Sequence, residues 1–235
     1  MTEQKDSAPC DSYASPPCMA HEVDPAYFDP PAVESDQTWD VIQWRKSERA
    51  RLRAARQALS VDLRNAVGQE LASHLHGFLN ARFGGGQSQA LSAYWPIKGE
   101  PDLRPLMTEL HAAGVTIALP LVETKAAPLV FRRWTPEMKM IRGHWNIPVP
   151  PPDTPIVAPE IVLVPLVGWD EAGYRLGYGG GYFDRTLAAL GRRPFAIGVG
   201  LQAARLATIH PQPHDIPLDA IITEAGVQVE KSRVL

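Results

Sequence analysis

Two periods of apolar residues divide the chain. Between residues 61 and 82, Leu63, Val67, Leu71, Leu75 and Phe78 recur three or four positions apart, which puts them on one stripe of a helix. Residues 40–59 form a helix before it, carrying WRKSERARLRAARQAL, a stretch rich in good helix formers. After a glycine-rich turn at 83–87 the pattern changes to short apolar runs of strand length at 90–95, 116–119, 161–167, 195–200 and 220–223, with 129–134 extended. The run 161–167 has the β-branched content of a strand buried on both faces, and Pro165 marks where its ladder hydrogen bonding stops. Helical spacing returns at 102–113, with Asp102 as a candidate N-cap, and again at Tyr182, Phe183, Leu187 and Leu190, closed by Gly191. Residues 138–152 read as a loop with clustered prolines. Strands alternating with helices predict a parallel or mostly parallel sheet covered on both faces. Ligands collect at the carboxyl ends of strands in such sheets, so the loops after Trp95, Leu119, Val167 and Gly200 are the candidate site loops.

The third of these loops is the most informative. Gly173, Gly177, Gly179, Gly180 and Gly181 supply positions that can take φ > 0 or let backbone N–H groups approach a ligand with no Cβ between. The loop empties onto a helix N-terminus, whose free N–H groups and dipole favour anions. Arg175 and Arg185 flank it with positive charge, and Asp184 offers a carboxylate to a divalent cation beside bound phosphates. Tight turns also need glycine, so the loop alone does not settle the matter. The dinucleotide fingerprint is not met, and no GKS or GKT follows to make a Walker A loop.

Composition changes this picture mainly at the ends. The 235 residues are 45% hydrophobic, enough for one substantial core. Residues 1–38 hold eight acidic residues against Lys5 alone, are rich in proline and serine, and read as a tail dispensable for folding and chemistry. Residues 39–235 are expected to form a single α/β domain. The net charge is −3, so the remainder is mildly basic. Within the tail, residues 19–28 are apolar enough to dock on the body, and Cys18 with His21 lacks the further ligands of a metal site. Cys10 and Cys18 are the only cysteines, which argues against a disulfide framework and for a reducing, cytoplasmic setting. No apolar run reaches membrane-span length, and the first twenty residues lack a signal-peptide pattern.

The first helix packs six lysines and arginines between Arg45 and Arg56. A solvated amphipathic face accounts for them, and so would a nucleic-acid footprint, yet no aromatic interleaving or known motif accompanies the charge, and nucleic acid is not expected as a partner. Arg45 and Arg49, at i and i+4, share one face and can reach a single polyphosphate. Glu100 follows the first strand in YWPIKGEPD, as a site carboxylate or a solvated loop residue. Trp145 in GHWNIPVP is either a stacking surface or a loop anchor, and Asp215, beside His214 in PQPHDIPLD, either a turn residue or a site carboxylate.

These residues fall in the order of a known pattern. RLGYGGGYFDR at 175–185 resembles, almost letter for letter, the signature loop of the 5-formyltetrahydrofolate cyclo-ligases, also called methenyltetrahydrofolate synthetases, and the resemblance extends over about 45–226. It implies that Arg45 and Arg49 contact nucleotide phosphates, with arginine at Arg45 where the family often has lysine. It implies an ATP cradle of Arg175, Leu176, Gly177, Tyr178, Gly179, Gly180, Gly181, Tyr182 and Phe183, with Arg175 and Tyr182 serving the reacting groups. Glu100 and Trp145, together with residues 178–182, are the implied folate contacts, and Asp184 and Asp215 the implied holders of Mg²⁺. The expected fold is α/β, a three-layer, Rossmann-like, mostly parallel sheet with helices on both faces, an N-terminal helical pair and an extended tail. The implied activity is ATP-driven closure of 5-formyltetrahydrofolate to 5,10-methenyltetrahydrofolate with release of ADP and phosphate, by a monomer or weak dimer. A catalytically silent nucleotide- or folate-binding relative with a regulatory role is the alternative, because a fold can outlive its reaction.

Overall fold

The computed structural model describes residues 36–86 and 89–232. The acidic tail, with Cys10, Cys18, His21 and the apolar stretch 19–28, lies outside the described residues apart from its last three positions. Those three belong to helix α1 (Asp36–Gln57), so the helix begins before residue 39. After it come α2 (Val61–Phe83), β1 (Ala90–Ser92), α3 (Arg104–Ala112), β2 (Thr116–Leu121) and β3 (Val130–Arg133). The segment expected to be a plain loop contains a small hairpin, β4 (Ile141–Arg142) with β5 (Pro148–Val149). The central strand β6 (Ile161–Pro165) is followed by a second small hairpin, β7 (Gly168–Trp169) with β8 (Arg175–Leu176), then α4 (Tyr182–Ala189), β9 (Phe195–Val199), β10 (Ala220–Thr223) and β11 (Gly226–Glu230).

Seven strands form the main sheet in the order β11-β10-β9-β6-β1-β2-β3. β2, β1, β6, β9 and β10 run parallel, and the edge strands β3 and β11 are antiparallel. Pro165 is the last paired residue of β6, opposite Val199, as its missing N–H requires. Strand side chains alternate between two cores. On one face Leu91, Ile117, Ile161, Leu163, Phe195 and Ile197 meet Leu71, Leu75 and Phe78 of α2 and Leu106 and Met107 of α3. On the other, Ala118, Val162, Val164, Ala196 and Ile221 meet Leu52 of α1, Leu187 of α4 and Trp169. The two N-terminal helices are thus neighbours in sequence but lie on opposite faces of a three-layer α/β fold.

Local chemistry explains the element ends. Ser60 caps α2 by accepting the Leu63 N–H at 3.2 Å, and Gly84 ends it in the left-handed region at φ 60°. The expected cap of α3 is displaced by one residue. Leu103 is its N-cap, while Asp102 accepts the Arg104 N–H at 3.0 Å from just outside. The apolar stripe of α2 is also shorter than its periodicity suggests, because Leu63 in the first turn projects past the sheet and is 49% exposed.

That difference sets an expectation for stability. Leu75→Ala removes a fully buried side chain and is expected to cost about 2–5 kcal/mol in urea unfolding. Leu63→Ala is expected to stay within about 0.5 kcal/mol of the parent.

Candidate active site

Buried cations on α1 organise the carboxyl edge of the sheet. Arg45 is buried and donates to both oxygens of Asp215, at 2.8 and 3.1 Å. One turn on, Arg49 Nε donates to the Gly177 carbonyl at 2.9 Å, inside the glycine loop. Burial and the Arg45 charge, opposed by Asp215, lower the Arg49 guanidinium to about 10, so it remains a cation at neutral pH. Arg56, two turns further along the same face, is 4% exposed. It donates to the Tyr178 hydroxyl at 2.5 Å, to the Leu166 carbonyl at 3.2 Å and to the Lys98 carbonyl at 3.3 Å. Leu52 sits between these arginines, so close to Gly168 that a Cβ there would lie 2.7 Å from its Cδ1. A glycine in β7 is therefore what lets α1 approach the hairpin leading to the loop. Arg51, by contrast, is exposed and pairs with Glu48, while Arg53 lies 5.7 Å from the Tyr178 ring centre instead of facing solvent.

The glycine loop runs from β8 to α4 between two tyrosines. Gly179 and Gly181 have φ of 100° and 61°, values that L side chains avoid, whereas Gly180 is needed for space and a Cβ on Gly177 would meet nothing within 4 Å. A Cβ on Gly180 would come within 2.9 Å of the Tyr182 ring. Among the described residues no acceptor is assigned to the N–H groups of Gly179, Gly180 or Gly181. Backbone donors grouped at the start of α4 suit an anion. Arg185 closes the outer side, donating to the Gly180 carbonyl at 2.5 Å and lying 4.9 Å from the Tyr182 ring centre.

Each tyrosine reaches one of the expected folate contacts. The Tyr178 hydroxyl donates to Glu100 Oε1 at 2.9 Å, and Glu100 Oε2 accepts the Ile97 N–H at 2.9 Å across the tight turn that carries it. Burial pushes the Glu100 carboxyl above its ordinary value, while Arg56, the Ile97 N–H, Tyr178 and Lys98 pull it down. Burial, then the Glu100 charge, raises the Tyr178 phenol, which keeps it a proton donor. On the other side Trp145 stands edge-on to Tyr182, with ring centres 5.5 Å apart, and is 44% exposed. It is not a core anchor. Trp145 and Asn146 are held at φ 54° and 61°, so the turn carries left-handed backbone at two successive non-glycine residues. Such geometry costs on the order of 1–2 kcal/mol per residue and recurs at ligand sites.

The two candidate metal carboxylates are already engaged. Asp184 pairs with buried Arg175 at 2.9 Å and accepts the Ile216 N–H at 3.1 Å. Arg175 also donates to the Ile216 carbonyl at 3.2 Å, so it braces the loop after Asp215 instead of opening into the cradle. Asp215 accepts Arg45 and the Gln212 N–H. A carboxylate offers about four lone-pair sites, so both retain capacity for a hard cation. Among the described residues no group of three or more metal-binding side chains forms a closed cage.

Burial pushes the Asp215 carboxyl up, but the Arg45 hydrogen bonds, the Gln212 N–H and the Arg45 charge outweigh it, and the net shift is downward. A depressed folded value means stability that is complete above the ordinary carboxylate range and lost as pH falls through the folded value. The stability gap between the parent and Asp215→Asn is expected to be widest near neutral pH and to shrink below about pH 4, as followed by urea unfolding across pH.

Arg56 is the site residue that the sequence reading did not single out. The signal was present: Arg45, Arg49, Leu52 and Arg56 fall at i, i+4, i+7 and i+11, one face of one helix.

Comparison with known proteins agrees with this geometry. Residues 41–224 match the model of the 5-formyltetrahydrofolate cyclo-ligase family. The chain is 28% identical over 182 residues to a 5-formyltetrahydrofolate cyclo-ligase of Escherichia coli (strain K12), covering 75% of this chain and 98% of that one. It is 27% identical to the enzyme of that name from Haemophilus influenzae, with 77% and 97% covered. An NMR structure of Aquifex aeolicus 5,10-methenyltetrahydrofolate synthetase superposes with a TM-score of 0.67 at 28% identity, covering 81% of this chain and 95% of that chain. With the family model spanning most of the chain, and the signature glycine loop standing at the sheet's carboxyl edge, this protein belongs to the 5-formyltetrahydrofolate cyclo-ligase family.

Proposed function

We propose that this ligase closes 5-formyltetrahydrofolate to 5,10-methenyltetrahydrofolate, using ATP and Mg²⁺ and releasing ADP and phosphate. The observation that carries the proposal is the unclaimed backbone donors of Gly179, Gly180 and Gly181 between Tyr178, which holds Glu100, and Tyr182, which faces Trp145. Folate contacts thereby stand at both ends of one short loop whose middle offers donors to phosphate. A body of residues 39–235 carries the whole site, and both cysteines lie in the acidic tail, consistent with a reducing cytoplasmic setting.

The formyl oxygen of the substrate is a poor leaving group. Transfer of the γ-phosphoryl to it releases ADP and gives an iminium phosphate, N10 attacks the formyl carbon, and phosphate leaves with the proton that N10 gives up. Such transfer needs alignment and positive charge more than a protein nucleophile. The unclaimed loop amides suit phosphate oxygens, and Arg49, fixed on the loop by Gly177, brings positive charge to the same loop. Arg45 and Arg175 hold Asp215 and Asp184 at the loop's edge, where the two carboxylates would hold Mg²⁺, which screens phosphate charge when bound. Glu100 accepts N–H groups of the pterin, and the exposed Trp145 face offers it an apolar surface.

Incubation with 5-formyltetrahydrofolate and Mg-ATP is expected to produce the methenyl chromophore. Glu100→Gln should raise the KM for the folate about tenfold or more, with the KM for ATP little changed. Arg175→Ala, which releases Asp184 and the loop after Asp215, should lower turnover about a hundredfold, against little effect from Arg51→Ala. Absence of the chromophore with the parent protein overturns the proposal.

A further inference from the structure

Arg56 has no direct route to the phosphates. Its guanidinium is spent on protein acceptors: the Tyr178 hydroxyl, the Leu166 carbonyl at the end of the central strand, and the Lys98 carbonyl in the turn that carries Glu100. It therefore touches both loops that flank the gap between β6 and β1. A buried cation so far from the proposed metal carboxylates serves neither ATP nor Mg²⁺, and the mechanism above leaves it without a task.

The direction of the hydrogen bonds assigns it one. A phenol has a single O–H donor. Because Arg56 donates to the Tyr178 oxygen, that donor is free to point only outward, and it lies 2.9 Å from Glu100 Oε1. The Ile97 N–H fixes the other carboxylate oxygen. We propose that Arg56 is a positioning residue: acting through Tyr178, it locks Glu100 in place as a charged acceptor for the pterin N–H groups. This rests on the folate site argued above.

The surroundings of Glu100 support the assignment. Positive charge reaches it from Arg56 on α1 and from Lys98 in its own turn, with Arg53 over the Tyr178 ring. Tyr178 of the glycine loop and Tyr94 beyond β1 face it as neutral phenols, and Asp102 is the nearby negative group. Burial works against the charged form, and Arg56 is the largest influence opposing it. Without Arg56, Glu100 holds its proton to higher pH and loses the charge and part of the acceptor capacity that pterin N–H groups need.

The test uses the full chain with Arg56→Met, Arg56→Lys, Tyr178→Phe and the double variant Arg56→Met/Tyr178→Phe. Equilibrium binding of 5-formyltetrahydrofolate is followed against pH by isothermal titration calorimetry, and ATP binding is measured separately. Arg56→Met is expected to move the acid limit of folate binding upward by about one pH unit, roughly tenfold weaker binding below it, and Tyr178→Phe to move it in the same direction by less. Arg56→Lys should restore part of the shift, ATP affinity should stay within about twofold in the two single Arg56 variants, and the double variant should bind folate no worse than Arg56→Met, the non-additivity of groups acting in series. Should Arg56→Met fail to fold, because it also strands two carbonyls, Tyr178→Phe and Arg56→Lys decide the matter. An unmoved acid limit, additive losses, or an equal loss of ATP binding overturns the proposal while leaving the folate site standing. A parent protein that binds no folate overturns the site and the proposal together.

Discussion

A guanidinium cannot be left unpaired in a protein interior, and this constraint shapes the whole carboxyl edge of the sheet. Removing a cation from water costs several kcal/mol unless acceptors replace the lost hydration. Arg45, Arg49 and Arg56 lie on the face of α1 that turns inward, and each finds its acceptors on a different segment: the 215 loop, the Gly177 carbonyl, and Tyr178 with the two carbonyls around it. The helix is thus a bar to which otherwise irregular chain is tied. A loop of successive glycines has high conformational entropy and little side-chain packing, so it needs such ties to present its amides in one arrangement.

Topology decides where the bar must lie. β1 leads to β2 on one side, while β6, β9 and β10 follow on the other, so the strand order reverses between β1 and β6. Loops leaving those strands separate and open a crevice. Glu100 comes from the first and the glycine loop from the second, and the Tyr178–Glu100 hydrogen bond spans the gap. α1 covers the same face through Leu52 against Gly168, which brings Arg56 to the crevice floor and Arg45 to the loop after β9. The Trp145 hairpin comes from the chain between β3 and β6, and reaches the same loop through Tyr182.

Much of this was legible in the sequence. The run 161–167 identified the central strand, and the glycines beyond it the anion loop, because buried strands and φ > 0 backbone leave composition signals. What escaped was contact between distant segments. Nothing local says that Leu63 lies past the sheet edge while Leu79, outside the expected stripe, is buried in the core, or that Arg53 covers a tyrosine ring. The hairpin at 168–176 was hidden within the glycine loop because a two-residue strand carries no periodicity. Asp184 and Asp215 were visible as carboxylates, but their arginine partners lie 9 and 170 positions away. Arg56 was the most recoverable omission, since only the helical register from Arg45 and Arg49 was needed to place it inside.

The central claim is that the amides of Gly179, Gly180 and Gly181 form the phosphate cradle of a site braced by α1. Titration of ¹⁵N-labelled protein with a non-hydrolysable ATP analogue and Mg²⁺ tests it most directly. The account predicts that those three glycine amides show the largest shifts in the spectrum, with the Arg49 side chain following at the same ligand concentration. Unmoved glycine amides, with shifts confined to another surface such as the groove between Phe78, Arg82 and Glu230, would contradict it.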